Sequence, residues 1–238
     1  MPSTRRYNVG LAITCGVVGI AGVGPAAGVQ FEIGTLFPLT ATAVFLGLMA
    51  AVIQVAGHEH PHPRFGPANY VTTIRATLVA LVAGVIGHPA TPGALWAVVG
   101  LTAVMGALDG LDGWLARRTR MVSAFGARFD METDALLILI LSVLVWQYEK
   151  AGAWVLLCGL MRYAFVAAGW RLSWLAQPLP STWRGKAVAV GQVIGLSVAL
   201  TPVVPASLSA IVVGATLAAL AWSFAIDIRW LSRRYRAS

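Results

Sequence analysis

Charge is what this chain has least of. Only 11% of its 238 residues are Asp, Glu, Lys or Arg, against about a quarter in a typical soluble domain. With a mean hydropathy of +0.77, a deficit this large argues against a soluble domain and for a membrane protein. Cysteine is nearly absent too. Cys15 and Cys158 each sit in an apolar segment, which leaves no disulfide framework and no zinc-ligand spacing. A Ser-His-Asp arrangement, a phosphate-binding glycine loop and a dinucleotide fingerprint are all missing. Acids number 9 against 17 basic residues, for a net charge of +8. On a soluble protein that balance would suggest nucleic acid. Here it fits the gathering of Lys and Arg on the cytoplasmic side of spanning helices, so anionic headgroups or phosphorylated substrates are the expected partners, and nucleic acid is not.

What the chain does have is apolar runs. Eight are read, roughly over 9–30, 35–57, 70–88, 95–116, 130–148, 152–172, 186–202 and 206–226. Each approaches the ~20 residues that a membrane-spanning helix needs. An eight-span threading with a cytoplasmic N-terminus puts Arg5, Arg6, Arg64, Arg117, Arg118, Arg120, Arg128, Arg184, Lys186, Arg229, Arg233, Arg234 and Arg236 inside, and only Lys150 outside. That bias supports a multi-pass protein of the cell inner membrane with both termini and the site in the cytoplasm. Arg5 and Arg6 before an apolar run also resemble a signal peptide. The run is about 22 residues, long for such a region, and shows no clear cleavage site, so the first span is expected to be retained.

The most informative stretch holds Asp109, Asp112, Asp130, Glu132 and Asp134, five of the nine acids. An ionisable group in a bilayer costs on the order of 3 kcal/mol and is a functional candidate by default. Asp109 and Asp112 share one helix face, and Asp130 and Asp134 share another. A short basic loop makes the two helices antiparallel. Asp109 lies eight residues before Arg117, and Asp134 eight after Gly126. At ~1.5 Å per residue both sit about 12 Å from the loop, with Asp112 and Asp130 as a shallower pair. Four carboxylates so placed need a cation, and hard oxygen ligands suit Mg²⁺, Mn²⁺ or Ca²⁺. Gly113, Ala116 and Gly126 leave room beside the backbone, and Arg117, Arg118, Arg120 and Arg128 supply cations at the mouth. Together these make a site for a phosphate ester. Glu132 faces away from the aspartates and is expected outside the cluster.

These residues spell Asp-x2-Asp-Gly-x2-Ala-Arg-x8-Gly-x3-Asp-x3-Asp from Asp109 to Asp134, with every fixed position filled. The pattern resembles the signature of the CDP-alcohol phosphotransferases. The resemblance implies an all-α integral membrane fold, a six-helix core preceded by two extra transmembrane helices, with residues 1–59 as a two-span extension and 60–238 as the catalytic core. It implies transfer of a substituted phosphate, phosphatidyl above all, from CDP-diacylglycerol or another CDP-alcohol to an alcohol acceptor, with release of CMP, in phospholipid biosynthesis. It further implies two Mg²⁺ or Mn²⁺ ions on Asp109, Asp112, Asp130 and Asp134, with Asp134 as general base. Asp112, Gly113, Ala116, Arg117 and Gly126 would line the CDP site, in a homodimer.

A second family element, Pro-Asn-x2-Thr-x2-Arg, is matched more loosely by Pro67, Asn69, Thr72 and Arg75, with Ala68 interposed. These three polar residues and Arg162, Arg171, Arg184 and Lys186 are candidate contacts to donor or acceptor, and the basic ones would suit a phosphorylated acceptor. Snorkelling and positive-inside anchoring explain the basic residues equally well. The run His58-Glu59-His60-Pro61-His62 looks metal-binding, but Pro61 and Pro63 break the helix that such a site would use, and an interfacial loop is expected. Two other readings remain. An intramembrane Mg²⁺-dependent prenyltransferase would resemble two distant aspartate motifs, where this chain has one compact motif. A cation transporter would be expected to show internal repeats, and none is evident.

Overall fold

The computed structural model describes residues 3–30, 34, 36–56, 67–118, 124–177, 179 and 182–236; the side chains of 3–9, 55, 56, 112, 116, 117 and 124 lie outside the description. All regular structure among the described residues is helical. The elements are α1 (Ser3–Gln30), α2 (Phe37–Ala56), α3 (Pro67–Gly84), α4 (Pro92–Arg118), α5 (Ala124–Gln147), a 3-10 turn (Ala153–Leu156), α6 (Leu157–Arg171), α7 (Trp183–Leu200) and α8 (Ala206–Arg236). Each apolar run overlaps one α-helix. Among the described residues five stretches are long and apolar enough to cross a membrane: Gly10–Gln30, Phe37–Gln54, Pro92–Leu115, Ala153–Arg171 and Ala206–Arg236. The protein is an all-α membrane protein. The histidine run at 58–62 lies outside the described residues.

Local chemistry sets the helix ends. Pro67 and Pro92 open α3 and α4, at the position where a missing N–H costs nothing. Thr91 caps α4 by accepting the Ala94 N–H at 3.2 Å, and Thr182 caps α7 by accepting the Gly185 N–H at 3.2 Å. Beyond α3 the chain turns at Gly87, whose φ of +85° favours a residue without Cβ. Inside the helices, hydroxyls bond back to the preceding turn: Thr73 to the Asn69 carbonyl at 2.8 Å, Thr102 to Val98 at 2.8 Å and Thr133 to Phe129 at 2.8 Å. A polar group closed on its own helix can sit in an apolar surrounding without penalty.

The chain forms two compact units, Met1–Leu137 and Ile138–Ser238, and their boundary falls inside α5. In the first unit, α3 packs against α1, α2 and α4, and α1 packs against α2. Small residues permit the approach: a Cβ on Gly84 would come within 2.7 Å of the Phe37 ring. Much of α3 is buried, including Asn69, Thr72, Thr73 and Arg75. In the second unit α7 packs along α8. A Cβ on Gly195 would lie 2.6 Å from Thr216, and the buried Ser209 hydroxyl donates to the Ala199 carbonyl at 3.0 Å. The Lys150 ammonium donates to the carbonyls of Thr201 at 3.1 Å and Val204 at 2.6 Å, just past the end of α7.

Candidate metal centre

The site lies within the first unit. Asp109 projects from α4, Asp130 and Asp134 from the first turns of α5, and Arg75 from α3. One carboxylate oxygen from each of the three aspartates lies within 4.8 Å of the others. The Arg75 guanidinium stands among them. Nη1 donates to Asp130 Oδ1, Nη2 donates to Asp134 Oδ1, and Nη2 lies 3.0 Å from Asp109 Oδ1. The Arg75 side chain is 3% exposed, against 43%, 37% and 41% for Asp109, Asp130 and Asp134. The cation is therefore buried while the carboxylates stay partly exposed. An unpaired guanidinium at this depth would cost several kcal/mol; three acids remove that cost. When ionised, they also leave the group with excess negative charge, which a divalent ion can take up.

The spacing argument from the sequence is met for three of the four acids. Asp109, Asp130 and Asp134 converge, and Glu132 is not in the group. Asp112 lies on α4, but its side chain is outside the description, as are those of Ala116 and Arg117. Gly113 and Gly126 lie on α4 and α5, the helices that carry the aspartates. On α3, Asn69 and Thr72 are buried at 6% and 3% exposure, and the Thr72 hydroxyl donates to the Ala68 carbonyl at 3.1 Å. The loose motif that suggested Arg75 as a substrate contact did not suggest its three carboxylate partners. Sequence offers one signal for them, since a buried arginine in an apolar helix needs acids.

The second unit holds the other basic candidates. Arg184, on α7, donates through Nη2 to Asp227 on α8, and through Nη1 to the Ser223 carbonyl at 2.8 Å and to the Ser223 hydroxyl. Its guanidinium carbon also lies 5.8 Å from the Trp222 ring centroid. Arg162 lies within α6 and is partly buried, Arg171 is exposed at the end of α6, and Lys186 is exposed in the first turn of α7. Asp227 was missed in the sequence. It stands in the apolar helix α8, where the cost that singled out the other acids applies equally.

The family model for CDP-alcohol phosphatidyltransferase matches residues 65–226, more than half of the chain, and takes in α3 to α7 and all of α8 but its end with Asp227. The chain belongs to the CDP-alcohol phosphatidyltransferase family. No curated relative and no solved structure shows significant similarity to it. The CDP-alcohol phosphatidyltransferases are metal-dependent membrane transferases that pass a phosphatidyl group from a CDP-alcohol to an alcohol. The residues present fit a metal ion: three oxygen donors from two helices, already gathered around a positive charge, are the ligand type that hard divalent cations take.

Proposed function

We propose that this protein transfers the phosphatidyl group of CDP-diacylglycerol, or the corresponding group of another CDP-alcohol, to an alcohol acceptor and releases CMP, as a step of phospholipid synthesis. The observation that supports this most is the convergence of Asp109, Asp130 and Asp134 around a buried cation, inside the stretch that matches the family. Asp109, Asp112, Asp130 and Asp134 would hold Mg²⁺ or Mn²⁺, two ions in our reading. Bound there, the ions supply Lewis-acid polarisation of the diphosphate and stabilise the departing CMP.

The chain's own residues do the rest. Gly113, Ala116 and Gly126 leave space at the backbone for cytidine and diphosphate, and Arg117 with Asp112 completes the nucleotide site. Asp134 accepts the proton of the acceptor hydroxyl as that oxygen attacks the phosphatidyl phosphorus. A new P–O bond forms, the P–O bond to CMP breaks, and CMP leaves with the electron pair. Asn69, Thr72, Arg75, Arg162, Arg171, Arg184 and Lys186 are the contacts we propose for donor and acceptor, and a phosphorylated acceptor would suit the basic ones. Residues 1–59 form a two-span extension to a core of 60–238, and the start of the family match at residue 65 supports that division. The working unit is a homodimer in the cell inner membrane, with the site and both termini in the cytoplasm; the basic residues clustered on one side of the threading support this orientation.

The test is release of CMP from radiolabelled CDP-diacylglycerol by protein purified in detergent, with Mg²⁺ or Mn²⁺ and a panel of alcohols. Asp134→Asn keeps the shape and removes the base, so turnover should fall by about 10²- to 10⁴-fold. No CMP with any acceptor, alongside metal-dependent ion flux in liposomes, would replace this reading with a transporter.

A further inference from the structure

We propose that Arg75 is a built-in counter-cation that competes with a divalent ion for the carboxylate set, so that this one side chain tunes metal affinity. The proposal rests on the reading of Asp109, Asp130 and Asp134 as metal ligands. The three aspartates that could share one ion are the three whose carboxylates Arg75 engages. Each carboxylate has lone pairs to spare, but a divalent ion and a guanidinium attracted to the same three carboxylates repel each other. Occupancy by one weakens the hold of the other.

Three features make the competition effective. Arg75 projects from α3, a helix packed against α1, α2 and α4, so the guanidinium is delivered from a fixed base. At 3% exposure it has little solvent to escape into. Arginine stays charged at every working pH, so the competing cation is always present. The benefit lies in the metal-free state. Without a cation the three acids would repel one another across less than 5 Å, and Arg75 holds them in their metal-ready arrangement.

The experiment measures Mn²⁺ binding to the full chain in detergent, without nucleotide, by the electron paramagnetic resonance of free Mn²⁺. Melting is followed in parallel in EDTA and in Mn²⁺. If Arg75 leaves only a tenth of molecules open to metal, Arg75→Gln should bind Mn²⁺ about tenfold more tightly than wild type. In EDTA it should melt at least about 4 °C lower, and Mn²⁺ should close the difference. A merely structural arginine would give the opposite sign, since a damaged site binds metal less well. Equal or weaker Mn²⁺ affinity in folded Arg75→Gln overturns the proposal and leaves the proposed function standing. Should Arg75→Gln fold only with Mn²⁺ present, that dependence supports the proposal. Should it not fold at all, Arg75→Lys decides, because one ammonium engages fewer oxygens at once: tighter Mn²⁺ binding than wild type supports the proposal, and no gain overturns it. Wild type that neither binds Mn²⁺ nor releases CMP brings down the functional reading, and this proposal with it.

Discussion

Arg184 has been given two jobs that one experiment can separate. In the structure its guanidinium is taken up by Asp227, the Ser223 carbonyl and the Ser223 hydroxyl. The pair is neither at the surface nor fully enclosed, with side chains 21% and 27% exposed. Exposed pairs contribute about 0–1 kcal/mol, while breaking a buried pair from one side costs about 3–5 kcal/mol. Asp227→Asn should fall between these limits, at about 2 kcal/mol. For a chain of this length that corresponds to a melting point lower by ~4–8 °C, readable by tryptophan fluorescence in detergent. Arg184→Met should cost a similar amount, and the double variant clearly less than the sum, because neither charge is then left alone. The acceptor KM is the second readout. If the arginine works as a tie between α7 and α8, Asp227→Asn lowers the melting point and leaves KM nearly unchanged. An unchanged melting point in Asp227→Asn would refute the tie, and a raised KM in Arg184→Met would then leave the proposed substrate contact as the arginine's one role.

Two further outcomes test the frame around the site. Gly84→Ala places a methyl 2.7 Å from the Phe37 ring, so it should cost about 1–3 kcal/mol by thermal unfolding; Gly47→Ala, with nothing within 4 Å, should be neutral or slightly stabilising and serves as its control. Lys150→Met removes the donor to the carbonyls of Thr201 and Val204 and should cost about 1.5–3 kcal/mol in melting experiments, with CMP release at low temperature unchanged.

Much of this was readable in the chain because charge is expensive in a bilayer. The rule that an intramembrane acid needs a reason picked out the group that the structure gathers at Asp109, Asp130 and Asp134. What it could not supply was the pairing. Arg75 meets acids 34 to 59 residues away, and no local spacing announces a contact made by packing α3 beside other helices. Asp227 was open to the same rule but has no acidic neighbour at helical spacing to draw attention to it. Run boundaries failed for a different reason. Hydropathy marks what lipid accepts, whereas a helix continues as long as its backbone stays satisfied. So α5 begins at Ala124, six residues before its apolar run, and α8 runs ten residues past residue 226 to Arg236, through arginines that favour helix.

Among the helices that fall short of a spanning segment, α3 is the informative one. Among the described residues, α3, α5 and α7 do not qualify, and they carry Arg75; Asp130 and Asp134; and Arg184 and Lys186. α4 qualifies although it bears Asp109, because its acids are confined to its last turns and the remainder is uncharged. A helix that faces lipid must be apolar around its circumference, but one enclosed by other helices needs only partners for its polar groups. α3 shows how this works: packed against α1, α2 and α4, it buries Asn69, Thr72, Thr73 and Arg75 with little exposure. The threonines close on their own helix, and the arginine closes on the acids. On this argument α1 and α2 do more than anchor the chain: they pack on α3 and keep lipid from the helix that supplies the buried cation, so loss of either should weaken the carboxylate set even though neither contributes a ligand to it.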